Sequence, residues 1–264
     1  MSDDTTGIPF LDNKIKNARE ALKLLPNWKD EQRAMPNHIA RSALFTPIKR
    51  GAREFIDDEV IWSRIGVKIT YTGKRLDEAD AGLWMQLLHY NRNKPLSKEI
   101  ELNRAQLLKD LGKSNGSYSY KWLDEAIKRL FGNITIETSR YIFSEVLLQK
   151  YYFDKRKGKF YFEINNEIAK LFSNKEYSLI STENRKKLKY DLSKTLQRHI
   201  AASSTIKQSF YYSDLLKKLN RNTDIRYLKR DLKKACEELK SQNIISNYET
   251  KKDKLIIWRM KTIS

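Results

Sequence analysis

The sequence predicts an α+β fold made of two tandem winged-helix domains behind a short N-terminal helical arm. Three observations lead there. A helix, a turn, a second helix and a basic hairpin follow one another between residues 103 and 164, the same order returns between 208 and 260, and short sequence matches relate the two passages. With 264 residues, 40% of them hydrophobic and 11% aromatic, the chain can bury a real core. That length suits two small domains. The expected divisions are an arm over 1–35, a first winged helix over 36–172 and a second over 173–264.

In the arm, Ile15, Ala18, Leu22 and Leu25 recur at three and four residues behind Asp12, which is placed to cap a helix, and Pro26 ends it. The stripe packs on its own domain or serves self-association; the spacing fits both. Residues 65–71, IGVKITY, alternate like a strand, and Leu76, Leu83, Leu87 and Leu88 carry a helix from Leu76 to Asn91. A short helix follows from Asn103, a capping residue, to Gly112, a stop. The turn at 114–117 then opens a helix running to Phe131. Strands are expected at Ile134–Thr138, Tyr141–Phe153 and Phe160–Ile164, the last two joined by the tip Lys155, Arg156, Lys157, Gly158, Lys159.

The second passage repeats this plan. Leu188, Leu192, Leu196 and Ile200 mark a helix, Gln208–Tyr212 a strand, Ser213 the cap of a helix to Leu219, and Asn220–Thr223 a polar turn. A long helix runs from Asp224 to Ser241. Strands Ile244–Thr250 and Leu255–Met260 flank the tip Lys251, Lys252, Asp253, Lys254. QLLKDL at 106–111 matches DLLKKL at 214–219, and each precedes a Leu-x-x-Ala-x-x-x-Leu pattern, at Leu123, Ala126, Leu130 and at Leu232, Ala235, Leu239. This reads as an internal duplication, although convergent helix packing also yields such leucines.

The net charge is +19, and residues 171–264 hold 22 basic and 10 acidic side chains, net +12. A surplus interleaved with Leu, Ile and Tyr at helical spacing belongs to a folded surface and points to a shaped nucleic-acid site. On a wheel of about 100° per residue, Leu228, Leu232, Ala235 and Leu239 form one buried stripe with Ile225 at its edge. Opposite lie Arg226, Arg230 and Lys233, flanked by Tyr227, Lys229 and Lys234. A major groove suits such a helix: Arg bridges guanine O6 and N7 while Lys holds phosphate. Arg221 and Asn222, in the turn before it, reach either. Lys251, Lys252 and Lys254 extend the surface into the second hairpin. The first copy offers Ser117, Tyr118, Lys121 and Lys128 beside Glu125, and its tip cations Lys155, Arg156, Lys157 and Lys159 suit backbone or minor-groove contact.

Other chemistries lack their residues. His38, His89 and His199 stand far apart, without the paired spacing a nickase needs to hold a metal; there is no GxxxxGK[ST] loop and no Asp-x-Asp pair. Asp57-Asp58-Glu59 and Asp77-Glu78 read as helix-start or loop charges. No enzymatic activity, cofactor or metal is expected. The single cysteine, Cys236, forms no internal disulfide, no apolar run approaches the ~18 residues of a membrane span, and MSDDTTGIPF lacks the marks of a secretory leader, so a cytoplasmic protein with no membrane partner is expected.

LPNWKDEQRAMPNHIARSALFT (25–46), KITYTGKRLDEADAGLWMQLL (68–88), LGKSNGSYSYKWLDEAIKRL (111–130), NNEIAKLF (165–172) and ACEEL (235–239) together resemble the TrfA family of plasmid replication initiators. The similarity covers roughly residues 25–245, and LPNW, RSALF and KITYTG are its specific parts. The resemblance implies two winged helices that bind direct repeats (iterons) in double-stranded origin DNA and help open an adjacent AT-rich element, with single-stranded AT-rich DNA as a further partner. It also implies recruitment of the host replicative helicase with the host initiator, and a monomer–dimer equilibrium in copy control. The chain departs from the family in having no clean QLxLF-type clamp-binding peptide. A winged-helix transcriptional repressor without origin-melting activity, or an RNA-binding regulator, would share the fold features.

Overall fold

The computed structural model describes residues 24–48, 52–96, 98–220 and 223–260. The arm stripe Ile15, Ala18 and Leu22 lies outside these residues. Leu25 and Trp28, just after it, are buried, and the Trp28 indole stacks on Phe172 at 6.3 Å.

The first half is organised around helix α2 (Glu78–Asn91). Asp77 caps it by accepting from the backbone N–H groups of Ala79 and Asp80, both at 2.9 Å, while the Asp80 side chain accepts from Asp77 N–H at 3.1 Å. This reciprocal box explains the acids at the helix start. Leu83, Trp84, Leu87 and Leu88 are all fully buried, so the helix is surrounded on several sides. An antiparallel sheet of order β2-β3-β5-β6 is formed by β2 (Phe55–Ile61), β3 (Val67–Lys74), β5 (Asn133–Thr138) and β6 (Ile142–Val146). Gly132, just before β5, makes close packing possible there: a Cβ would lie 2.3 Å from the Tyr71 hydroxyl.

The repeat expected from the letters is a repeat of topology. In the first copy, β4 (Ile100–Asn103), α3 (Arg104–Asp110), α4 (Ser117–Arg129), β7 (Lys150–Asp154) and β8 (Lys159–Glu163) form a helix pair on a sheet of order β4-β8-β7. In the second, β10 (Lys207–Tyr211), α7 (Tyr212–Lys218), α8 (Ile225–Ser241), β11 (Ile245–Thr250) and β12 (Lys254–Arg259) form the order β10-β12-β11. In both, the strand entering the helix pair lies beside the last strand of the hairpin. The first copy differs by inserting β5 and β6 between its second helix and its hairpin.

Several expectations are corrected. The strand expected over Tyr141–Phe153 is two strands in different sheets, because Leu147 and Leu148 are drawn into the core and Leu148 N–H bonds to the Leu130 carbonyl. Asp57-Asp58-Glu59 lies in β2: a bulge with Asp58 at φ 48° shifts the register and leaves the three acids exposed. Glu78 is no solvated helix-start charge; it is buried. Ser213 caps nothing; Tyr211 precedes α7 without a side-chain cap. The helix expected from Leu188 is α6 (Asp191–Ala201), which follows a separate short helix, α5 (Thr182–Lys187).

Periodicity does not signal β1 (Gln32–Pro36), α1 (Asn37–Ala40), a 3-10 helix at Asn166–Lys175, or β9 (Tyr177–Ser181). β1 pairs with β9, Gln32 opposite Ser181, so this sheet crosses the divisions expected at 35/36 and 172/173. Among the described residues, buried hydrophobic side chains form two clusters. One runs from Leu25 to Ile180 and takes in Ala202; the other runs from Leu188 to Ile257 and includes Leu215, Leu228, Leu232, Ala235 and Leu239.

The halves meet through a buried ionic cluster. The Glu78 carboxylate accepts from Arg198 Nη2 at 2.5 Å, Arg185 Nη2 at 2.7 Å and Thr195 Oγ1 at 2.8 Å. Arg198 also donates to the carbonyls of Ala40 at 3.1 Å and Phe45 at 2.7 Å. Burial opposes ionisation of Glu78, but Arg198 and Arg185 outweigh it and hold the carboxyl at about 2. Nearby, the fully buried Lys218 amine bonds to His199 Nδ1. Burial first, and neighbouring cations next, push both groups well below their ordinary values.

Candidate nucleic-acid interface

α8 shows how a buried stripe exposes a charged face. Leu228, Leu232, Ala235, Cys236 and Leu239 lie inside, and burial raises the Cys236 thiol to about 12, leaving it unreactive. Ile225 sits at the edge, 39% exposed. Arg226, Tyr227, Arg230, Lys233 and Lys234 are exposed along one side. The Arg230 guanidinium lies 5.3 Å from the Tyr227 ring centroid and 3.4 Å from Asp231. Arg226 is held by Asp224, the residue that caps the helix.

Lys229 is placed differently from its neighbours. Its Nζ donates to the Lys252 carbonyl at 3.0 Å and lies 4.8 Å from the Tyr212 ring centroid, joining α8 to the hairpin and to α7. The hairpin is also anchored by Tyr212 N–H bonding to the Asp253 carbonyl at 3.0 Å. Lys251 and Lys252 are exposed at its tip, Lys251 lying 3.6 Å from Glu249, and the Lys254 amine lies over Tyr211 at 5.6 Å. Arg221 and Asn222 lie outside the described residues.

In the first copy, Ser117, Tyr118, Lys121 and Lys128 are exposed on α4, with Tyr118 84% exposed and Lys128 3.4 Å from Glu125. Arg104 fastens this unit: it pairs with Asp124 at 2.7 Å and lies 4.8 and 4.5 Å from the ring centroids of Tyr120 and Phe153. At the hairpin tip, the Asp154 carboxylate accepts from the backbone N–H groups of Arg156 and Lys157, and Gly158 takes φ 65°. Lys155, Arg156 and Lys157 thus project into solvent, whereas Lys159 pairs with Glu101 at 2.9 Å.

Beside α8, a cleft of about 870 Å³ opens between the halves, lined by Arg75 and Thr46 on one wall and by Tyr190, Tyr227, Arg230 and Lys234 on the other. Sequence patterns do not flag Arg75 and Tyr190. They are far from α8 along the chain, and no local pattern links them to it. In the sequence Asp224 reads only as the start of the long helix; its spacing of two from Arg226 is the available signal. Among the described residues, no helix is long and apolar enough to cross a membrane.

The chain is similar to several known proteins. The plasmid replication initiator protein TrfA of Escherichia coli is 30% identical over 247 residues, which are 89% of this chain and 63% of that protein; the chain therefore spans less than two thirds of its relative. A crystal structure of domains 2 and 3 of RctB is similar with TM-score 0.57 at 13% identity, covering 86% of this chain and 99% of that one. The Pi initiator protein in complex with iteron DNA is similar with TM-score 0.51 at 14% identity, covering 71% and 96%. Identities this low speak for the fold alone, a mixed α+β architecture. The family described as TrfA protein matches residues 3–258, nearly the whole length, and this chain belongs to that family.

Proposed function

We propose that the protein is a plasmid replication initiator that binds direct repeats in double-stranded origin DNA through two winged-helix units, without enzymatic chemistry of its own. The units are β4 to β8 and β10 to β12. The first carries the additional elements from Leu25 to Ser181, a shift from the divisions expected at 35/36 and 172/173. The observation that carries the reading is the exposed face of α8: Arg226, Arg230, Lys233 and Lys234 over a fully buried stripe, next to a basic hairpin tip. Such a face matches the width and charge of a major groove. The TrfA relative and the iteron-bound Pi structure support the choice of origin repeats as the target.

Opening of an adjacent AT-rich element, binding of the exposed single strand, recruitment of the host helicase with the host initiator, a monomer–dimer equilibrium and a cytoplasmic location complete the proposal. The experiment is footprinting on DNA flanking the encoding gene, followed by permanganate probing of the bound DNA. An initiator protects a series of direct repeats and makes neighbouring AT-rich thymines reactive. Protection without permanganate reactivity would instead identify a repressor of the same fold.

A further inference from the structure

Asp224 divides one carboxylate between two tasks. Its Oδ1 accepts the backbone N–H of Arg226 at 2.8 Å and so caps α8. Its Oδ2 accepts from the same residue's guanidinium, from Nε at 3.1 Å and Nη2 at 2.8 Å. The Arg226 side chain is nevertheless 84% exposed. Guanidinium donors form a rigid fork, and this clamp occupies the edge made by Nε and Nη2. The edge formed by Nη1 and the second N–H of Nη2 stays directed away from the carboxylate. Two donors on one edge match guanine O6 and N7.

A surface arginine ordinarily loses rotamer freedom when it docks, and one already held loses less. Arg230, one turn further on, is held by longer bonds: two of its nitrogens lie 3.4 Å from Asp231 Oδ1. The Asp224 charge acts on DNA as well, because a carboxylate at the start of a groove-facing helix repels phosphates wherever they approach. Binding to duplex of any sequence is thereby weakened, while a guanine engaged by Arg226 offsets the repulsion.

We infer that Asp224 is a positioning residue for base reading: it presents the distal guanidinium edge of Arg226 to a guanine and lowers affinity for DNA that lacks one there. The inference rests on the reading that α8 enters a major groove.

The test uses the full chain and two probes, a duplex selected by the parent protein from a random-sequence pool and unselected random duplex, at matched salt. Asp224→Asn keeps an oxygen that caps the helix and removes the charge that holds the guanidinium. The ratio of selected to random affinity is expected to fall at least fivefold, with random-duplex affinity unchanged or higher, and the fall should disappear when Arg226 is already Lys. Asp224→Ser, a second capping replacement, should behave alike and guards against a folding defect peculiar to one variant. A fall smaller than fivefold in both variants, or an equal fall in the Arg226→Lys background, overturns the inference. If Arg226→Ala, Arg230→Ala, Lys233→Ala and Lys234→Ala all bind the selected duplex like the parent, the groove reading itself fails. If those variants lose binding and the Asp224 variants keep full discrimination, only the positioning role fails.

Discussion

Glu78 and Arg198 form an ion pair across the junction of the two halves, with Arg198 Nη2 2.5 Å from Glu78 Oε1 and both side chains fully buried. Arg185 approaches the other carboxylate oxygen at 2.7 Å, so one buried acid serves two buried guanidiniums. Removing one partner of such a cluster leaves charge without compensation in a low-dielectric site. Glu78→Gln is expected to cost about 3 to 5 kcal/mol, measured by urea unfolding at pH 7. A loss under about 1 kcal/mol would show that the junction does not depend on this charge.

The same group sets an acid limit. Its folded value, about 2, lies below the ordinary 4.5, so at pH between the two the unfolded chain binds a proton that the folded chain does not. Its contribution is fully present above about pH 4.5 and is lost as pH falls toward about 2. Unfolding midpoints at pH 5 and pH 3 should therefore differ less for Glu78→Gln than for the parent.

Two histidines act in the same sense at higher pH. Burial, then Arg33 and Arg92, lower His89 to about 3, and burial, then Lys218, lowers His199 well below 6.5. His89 Nδ1 accepts from the Trp28 indole at 3.0 Å, a contact only the unprotonated nitrogen can make. Because the unfolded chain protonates first, stability should decline as pH drops below about 6.5, by at most about 1.4 kcal/mol per pH unit for each histidine. Replacing His199 by Leu should flatten the decline between pH 6.5 and 5 in unfolding titrations. An unaltered slope would mean that His199 titrates normally in the fold.

Salt dependence should separate the lysines of α8. Lys233 and Lys234 are exposed, and each alanine substitution should reduce the slope of log affinity against log salt by about 0.9 for every phosphate that is no longer neutralised. Lys229 is engaged with the Lys252 carbonyl, so Lys229→Ala is expected to loosen the hairpin and lower the unfolding midpoint more than it changes the slope. Binding titrations over a series of salt concentrations decide between these roles. An unchanged slope in the Lys233→Ala, Lys234→Ala double variant would place the phosphates elsewhere.

Arginine geometry gives a separate prediction. Arg226→Lys or Arg230→Lys should cost about 1 to 3 kcal/mol on the selected duplex and little on random duplex, with discrimination relaxed at one base pair, because lysine cannot present a planar pair of donors. Competition binding measures it. If both variants stay within about twofold of the parent on the selected duplex, far from the ~1.4 kcal/mol of a tenfold change, neither arginine reads a base.

Features that depend on neighbours within a few turns are legible in the sequence alone. The stripe Leu228, Leu232, Ala235 and Leu239 marks α8 because a 3.6-residue period needs no distant partner, and Asn103 and Asp224 start helices because their side chains bond to N–H groups two or three residues on. The hairpin tips and the duplicated order of elements are legible for the same reason. What lies across long separations is settled by the folded arrangement. Gln32 and Ser181 pair in a two-stranded sheet whose strands carry no alternating pattern, and Asp57, Asp58 and Glu59 join a strand because β3 supplies the ladder and a bulge turns them outward. Glu78 reads locally as a helix-start charge, yet it is buried because Arg198, 120 positions away, arrives from the other half to neutralise it. Lys229, likewise, reads on a helical wheel as a flanking cation like Lys234, yet its amine is held by a hairpin carbonyl that folding alone brings within 3.0 Å.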